Sequence, residues 1–116
     1  IQAIGYDRWN ALSTAQKLER AGYNLVEIRQ HSSVLHPPTK LLKEKILKGE
    51  FKYTENKLLE INFQNARCVY DTNKNQFVNK KKSNGKVDMV ISLINAVYLL
   101  EKDVILNQMD FVVQTI

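Results

Sequence analysis

Two aspartates, Asp7 and Asp88, stand where a carboxylate could take part in catalysis. Asp7 follows directly after the apolar residues 1–6, and Asp88 opens the nearly all-apolar stretch "DMVISLINAVYLL". An acid at the end of a central strand and an acid at the mouth of a buried helix can meet on a divalent cation, and oxygen-only ligands favour Mg²⁺ or Mn²⁺. Paired ions of this kind hydrolyse phosphodiester bonds, although they need at least one more carboxylate than these two.

Each aspartate also has a purely structural interpretation. Asp7 is suited to an Asx-turn or a helix cap, and an acid in the first turn of a helix, such as Asp88, is favoured by capping and by the helix dipole. The apolar helix after Asp88 is expected inside the protein, with its first turn near the sheet, where a carboxylate requires a partner. The other acids, including Glu27, Glu60, Asp71 and Asp103, are expected to be surface charges.

Composition and motifs exclude several classes of protein. The 116 residues fit one domain, and their net charge of +5 favours an acidic partner such as nucleic acid. The single cysteine, Cys68, excludes an internal disulfide and a cysteine-built zinc site, and neither His31 nor His36 has ligands at zinc spacing. No P-loop occurs, no apolar run reaches the length of a membrane span, and no signal peptide is visible.

The first thirty residues predict a βαβ unit. Residues 1–6 and 25–30 have strand patterns, and the helix between them could be capped by Ser13 or Thr14 and ended by Gly22. Such strands should be parallel with a right-handed crossover. Because the chain opens on Ile1 in what resembles a central strand, we interpret it as a piece of a larger protein.

The remainder predicts helices, a hairpin and a basic linker. Prolines 37 and 38 suit the entrance of a helix that ends at Gly49, and Asn56 suits the cap of the next helix. Residues 67–71 and 76–81 flank the polar turn "TNKN" as a β-hairpin. The segment "KKKSNGK", residues 80–86, is predicted to be a flexible basic linker, and residues 102–116 form a tail without a clear period.

Basic and aromatic residues suggest where nucleic acid could bind. Lysines beside a phosphodiester-cutting site would hold the DNA backbone without reading bases, and four of them precede Asp88: Lys80, Lys81, Lys82 and Lys86. A disordered charged linker would have the same composition. The lysines at 40, 43, 45 and 48 are expected to form a solvated helix face. Trp9 is expected to pack under a loop, or else to shape the metal pocket.

Four segments in order resemble the large terminase subunits of tailed bacteriophages. "GYDRWNALSTAQKLERAGYNLVEIRQ" resembles the family's Y-D-x-W block, and "KVDMVISLINAV" resembles its late K-I-D-x-x-x-A-L-x-x-A helix. Between them, "LHPPTKLLKEKILKGEFKY" and "NKLLEINFQNARCVYDTNKN" resemble the family's L-S-x-P-T/M-K-x-L-E segment and its helix with hairpin. The family often has Pro where this chain has Arg8, and a small residue near His31; neither change touches a proposed ligand.

The resemblance implies the carboxyl-terminal part of an RNase H-like nuclease domain: an α/β fold with a mixed sheet flanked by helices, here without the first strands. It implies a hydrolase in which two Mg²⁺ or Mn²⁺ ions, with Asp7 and Asp88 among their ligands, cut concatemeric double-stranded DNA during packaging. It does not imply that the isolated chain retains cleavage, since the family's first-strand ligand and its ATPase domain lie ahead of this sequence. The implied partners are DNA, that ATPase domain, the small terminase subunit and the portal or procapsid, and the implied location is the cytoplasm of a bacterium carrying a phage or prophage.

Two other functions remain open from the residues. One is another RNase H-like nuclease, of the resolvase or integrase type. Three features argue against it: the Trp two residues after Asp7, the lysine-rich helix and the hairpin. The other is a non-catalytic basic module that docks on DNA or on a viral protein. In that module Asp7 and Asp88 would be far apart, and replacing both by Asn would leave function intact.

Overall fold

The computed structural model describes the backbone of residues 2–115 and, within them, the side chains of residues 2–9 and 11–103. Helices and strands follow one another along the chain in the order β1 (Ile4–Tyr6), α1 (Arg8–Arg20), β2 (Leu25–Glu27), α2 (Ser32–Leu47), α3 (Lys57–Asn65), β3 (Cys68–Tyr70), β4 (Gln76–Val78) and α4 (Asp88–Thr115). Over the described residues the strands form two small sheets, β1 with β2 and β3 with β4. The segment 102–116, for which the sequence pattern predicted no structure, is helical as far as Thr115.

The first unit is the predicted βαβ arrangement. Strands β1 and β2 are parallel, with Tyr6 opposite Glu27. Helix α1 ends just before Gly22, whose φ of +97° is a conformation that residues with a Cβ rarely adopt. Its predicted start is wrong, because the helix begins at Arg8 and Asp7 is the cap: its Oδ1 accepts a 3.2 Å hydrogen bond from the Trp9 backbone N–H. Ser13 and Thr14, the expected caps, lie in the helix interior.

Helix α2 also begins earlier than its prolines predicted. The imidazole Nδ1 of His31 accepts a 3.1 Å hydrogen bond from the Ser33 N–H and so caps a helix that starts at Ser32. Pro37 and Pro38 therefore lie inside the helix, where each lacks the N–H that would bond to the preceding turn. Pro38 is fully buried, so its ring is packed in the interior.

The β3–β4 hairpin is attached to α2 through Asp71. The carboxylate accepts hydrogen bonds from the Ser32 hydroxyl at 2.5 Å and from the backbone N–H groups of Asn73 and Asn75 at 2.8 and 2.9 Å. The Ser32 bond, followed by that from the Asn75 backbone, lowers the pKa of Asp71 to about 2. Asp71 was expected to be a surface charge. In the structure its hydrogen bonds hold the β3–β4 turn together and connect that turn to Ser32 at the start of α2.

Helix α4 packs across the molecule between these parts. Its inner face buries Val90 and Ile94 in a core with Ile28 of the β2 end and Leu35 and Leu42 of α2. The β1 strand approaches it at Gly5. A Cβ there would lie 2.5 Å from Ile28 Cδ1 and 3.2 Å from Leu99 Cδ1, so a larger residue would require these two side chains to shift. Among the described residues no helix is long and apolar enough to span a membrane.

Candidate functional site

A polar cleft of about 840 Å³ opens at the carboxyl ends of β1 and β2. The topology accounts for its position, because parallel strands bring their following loops together at one edge of the sheet. Its lining combines acidic, basic and aromatic side chains, among them Asp7, Glu27, Arg8, Arg29, His31 and Trp9. This mixture suits a charged ligand rather than an apolar one.

Asp7 is positioned in this cleft by the strand and by the helix that follows it. Its backbone is still extended, with φ −94° and ψ 120°, and the side chain caps α1. Asp7 directly follows the last residue of β1, and its side chain is half-buried where it lines the cleft.

Asp88 is the first residue of α4, and its side chain is 74% exposed. The expectation that the first turn of this helix is buried near the sheet is therefore wrong for Asp88, although its neighbour Val87 is 3% exposed. The helix turns Val87 and Val90 toward the core and Asp88 away from it. Sequence periodicity could not reveal this, because nearly every position in the segment is apolar.

Helix geometry relates Asp88 to the cleft. Positions i, i+7 and i+11 lie on one face of an α-helix, so Asp88 shares a face with Asn95 and Leu99. Asn95 Oδ1 accepts a 3.2 Å hydrogen bond from Gln30 Nε2, and Gln30 lines the cleft. With a rise of 1.5 Å per residue, Asp88 is about 10 Å along the helix axis from Asn95. Helix α4 is thus connected to the cleft through the Asn95–Gln30 bond, and Asp88 lies two turns from Asn95 on the same helix face; Asp7 lines the cleft, and Asp88 is not among the described residues that line it.

The oxygen donors of the cleft fit a hard divalent cation. Mg²⁺ is commonly held by one or two carboxylates, with water and substrate phosphate oxygens completing its shell. Asp7 and Glu27 offer two carboxylates at the adjacent ends of paired strands. Over the described part of the chain, no group of three or more His, Cys, Asp or Glu residues is close enough to hold a metal.

The basic segment 80–86, which its composition predicts to be a flexible linker, forms a turn with several hydrogen bonds. Ser83 N–H donates to the Asn79 carbonyl at 3.0 Å, and the Ser83 hydroxyl accepts from the Arg67 N–H at 3.1 Å. Asn65 Nδ2 donates to the Lys86 carbonyl at 3.0 Å. The four lysine side chains, Lys80, Lys81, Lys82 and Lys86, are all exposed.

This turn presents positive charge beside Asp88. Lys80 Nζ lies 3.9 Å from Asp88 Oδ1, and both side chains are mostly exposed. A solvated ion pair of that length contributes about 0–1 kcal/mol to stability, so it does not fix the fold. Its consequence is electrostatic: the lysine cluster and the acid share one surface.

The structure also assigns to the cleft residues that the sequence did not single out as functional. Glu27 was expected to be a surface charge and Arg29 was given no role, and both line the cleft together with Asp7. Trp9 was expected to pack under a loop; it is 92% exposed at the cleft, so that expectation is wrong. Arg8 and His31, where the chain departs from the terminase pattern, line the same cleft.

Comparisons with known proteins agree with this architecture. The crystal structure of the HK97 bacteriophage large terminase superimposes with a TM-score of 0.74 at 23% identity, over 84% of this chain and 21% of the terminase chain. The match confirms the predicted RNase H-like α/β fold, and the chain spans about a fifth of that protein. No curated protein matches the sequence. The family described as terminase large subunit, endonuclease domain, matches residues 1–103, and the chain belongs to this family.

Proposed function

We propose that the chain is the DNA-cutting part of a phage packaging machine, hydrolysing phosphodiester bonds of concatemeric double-stranded DNA with two Mg²⁺ or Mn²⁺ ions. The observation that carries the proposal is Asp7, held by the β1–α1 junction in a polar cleft at the carboxyl ends of parallel strands. Membership of the terminase endonuclease family supports the reaction class over the resolvase or integrase alternative. The proposed ligands are Asp7 and Asp88, with Glu27 as a further carboxylate that the cleft offers.

Each group at the cleft has a distinct task in this proposal. Bound metal ions supply an activated water and stabilise the leaving oxygen. Asp7 provides a fixed carboxylate, because its capping bond to the Trp9 N–H and its half-buried position restrict its orientation. Arg8 and Arg29 provide positive charge for the phosphates on either side of the cut. Asp88 would contribute its carboxylate from the face of α4 that carries Asn95, whose side chain bonds to Gln30 of the cleft.

The proposal is tested by nicking of supercoiled plasmid, assayed with the 116-residue chain and with the complete large terminase subunit. We expect cleavage with Mn²⁺ or Mg²⁺ and none after EDTA, because hydrolysis depends on metal held by carboxylates. Relaxed and linear products on a gel give the readout. Cleavage that persists in EDTA, or no cleavage by either protein with any divalent cation, would contradict the proposal.

The lysine cluster is proposed to hold the DNA backbone beside Asp88. Each lysine that neutralises a phosphate contributes about 0.9 to the slope of log affinity against log salt. We therefore expect the slope to fall by up to about 3.6 when Lys80, Lys81, Lys82 and Lys86 are all changed to Gln, measured by fluorescence anisotropy in EDTA. The matched control changes Lys40, Lys43, Lys45 and Lys48 on α2, which removes the same charge from another surface. Equal slopes for both variants would mean that the four lysines are solvated charges without a specific contact to the DNA backbone.

A second candidate, a non-catalytic basic docking module, is favoured by one observation. Asp88 is highly exposed and paired only loosely with Lys80, and no three-ligand group occurs among the described side chains. Such a module would bind DNA or a viral protein without cutting. It predicts salt-dependent binding with no metal-dependent nicking, so the plasmid assay separates it from the nuclease.

The remaining partners follow from the family rather than from the cleft. We propose that the chain works with an ATPase domain of the same polypeptide, the small terminase subunit and the portal or procapsid. The proposed location is the cytoplasm of the bacterial host. Copurification of the portal with the complete large subunit, abolished in a subunit from which residues 1–103 are removed, would place this chain in the docking assembly; unchanged copurification would assign docking to another part.

A further inference from the structure

Trp9 occupies an unusual position for the only tryptophan of the chain. It is the second residue of α1, lies two residues from Asp7, and is 92% exposed at the cleft. Large aromatic side chains bury much apolar area when they serve the fold, so a solvated indole contributes little to stability. Its position is nevertheless defined, since its own backbone N–H donates to the Asp7 carboxylate at 3.2 Å.

The surroundings of Trp9 indicate what the indole could contact. Arg8 and Arg29 line the same cleft, which supplies positive charge for a phosphate backbone. Leu12, one helical turn from Trp9, also lines it and is 39% exposed. An aromatic face beside guanidinium groups is the combination that holds single-stranded nucleic acid, with bases stacked on rings and phosphates on cations.

We infer that Trp9 stacks on an unpaired base of the DNA next to the phosphate that is cut, which is an inference that rests on the proposed nuclease function. In an intact duplex both faces of each internal base are covered by its neighbours. Without the cost of unstacking the duplex, an indole can therefore stack on a base that is exposed at a frayed end, a nick or an overhang. Since Asp7 and Trp9 are two residues apart, the base that Trp9 holds belongs to the strand at the carboxylates.

The test uses the 116-residue chain, in which Trp9 fluorescence is free of other tryptophans. Two labelled DNA probes of the same sequence are titrated in EDTA: a duplex closed by hairpins at both ends, and a duplex with a single-stranded overhang. Anisotropy of the labelled DNA reports binding, and quenching of indole emission reports stacking. We expect both probes to bind and the overhang to quench Trp9 emission strongly, with much weaker quenching by the closed duplex.

Substitutions separate stacking from a general effect on the cleft. We expect W9A to weaken overhang binding by about 5- to 150-fold, the range for loss of one stacked base, with little change for the closed duplex. W9F should retain most of the affinity, because it keeps an aromatic face. The exposed indole carries little of the fold, so both variants should unfold at the same temperature as the parent.

The outcomes distinguish this inference from the proposed function. Binding of both probes without any change in Trp9 emission would overturn stacking and leave the DNA-cutting proposal intact. Emission of the free protein typical of a buried indole would also overturn it, by showing that Trp9 is covered before DNA binds. Equal losses for both probes in W9A would assign Trp9 to general shaping of the cleft and overturn the base contact. Absence of binding to either probe would refute the proposed function itself.

Discussion

Replacing Asp7 by Asn should reduce metal-dependent cleavage by more than about 100-fold, because removing even a group that only orients a metal ligand costs about 10–100-fold. The substitution is unusually clean. Asn caps a helix nearly as well as Asp, so D7N keeps an acceptor for the Trp9 N–H and removes the charge. The nicking rate with Mn²⁺ in the complete large subunit gives the readout, with the melting temperature as the check on folding.

The matched control is E19Q, which removes an exposed carboxylate from the other end of α1. It changes the net charge by the same amount and leaves the cleft intact, so cleavage should stay within about two-fold of the parent, the range in which a surface substitution away from the site has little effect. If D7N cuts as fast as E19Q, the carboxylate of Asp7 is only a helix cap.

Local patterns were sufficient to predict much of the fold. Strand alternation on both sides of an amphipathic helix predicted the parallel β1–β2 pair, and polar turn residues predicted the antiparallel hairpin. Gly49, with φ +70°, follows the end of α2 as expected. The Asn56 cap is also confirmed, since its side chain accepts a 3.0 Å hydrogen bond from the Leu59 N–H. These features depend on neighbours in sequence, which is why the sequence reveals them.

Helix starts were predicted less well, because more than one residue can serve as a cap. Asp7 was interpreted as either cap or ligand, and the structure shows that its carboxylate caps α1. His31 caps α2 through an imidazole nitrogen, which lies outside the usual set of Ser, Thr, Asp and Asn. His36 Nδ1 accepts a 2.7 Å hydrogen bond from the Gln76 N–H of β4. That contact joins residues forty positions apart, beyond the reach of any local pattern.

In the candidate site, too, some residues were predictable from their neighbours in sequence and others only from the folded structure. A strand end was sufficient to select Asp7, since functional groups collect at the carboxyl ends of parallel strands. Placing Glu27 and Arg29 in the cleft required the folded arrangement of the loops after β1 and β2, and the exposure of Trp9 required knowing which face of α1 meets the sheet. For Asp88 the deciding fact was the rotation of α4 about its own axis, which an almost uniformly apolar sequence leaves undetermined.

Asp88 therefore allows the sharpest separation of the two functions. As a surface acid in the first turn of α4, it interacts with the helix dipole for about 0.3–1 kcal/mol, so D88N should lower the free energy of unfolding by no more than that. If Asp88 is a metal ligand, D88N should lower the rate of cleavage more than about 100-fold, by the comparison used for Asp7. Plasmid nicking and denaturant unfolding of the same preparation measure both quantities.

The control for Asp88 lies on the same helix. D103N removes an exposed acid fifteen residues further along α4, about 22 Å away at 1.5 Å per residue, and should leave nicking unchanged. If D88N alone loses most of its cleavage while its stability is nearly unchanged, the reaction requires the negative charge at the start of α4. Equal activity of D88N and D103N would mean that Asp88 is a helix-terminal charge beside the lysine turn. Among the described residues, Asp7 and Glu27 would then remain as the candidate metal ligands, because both line the cleft.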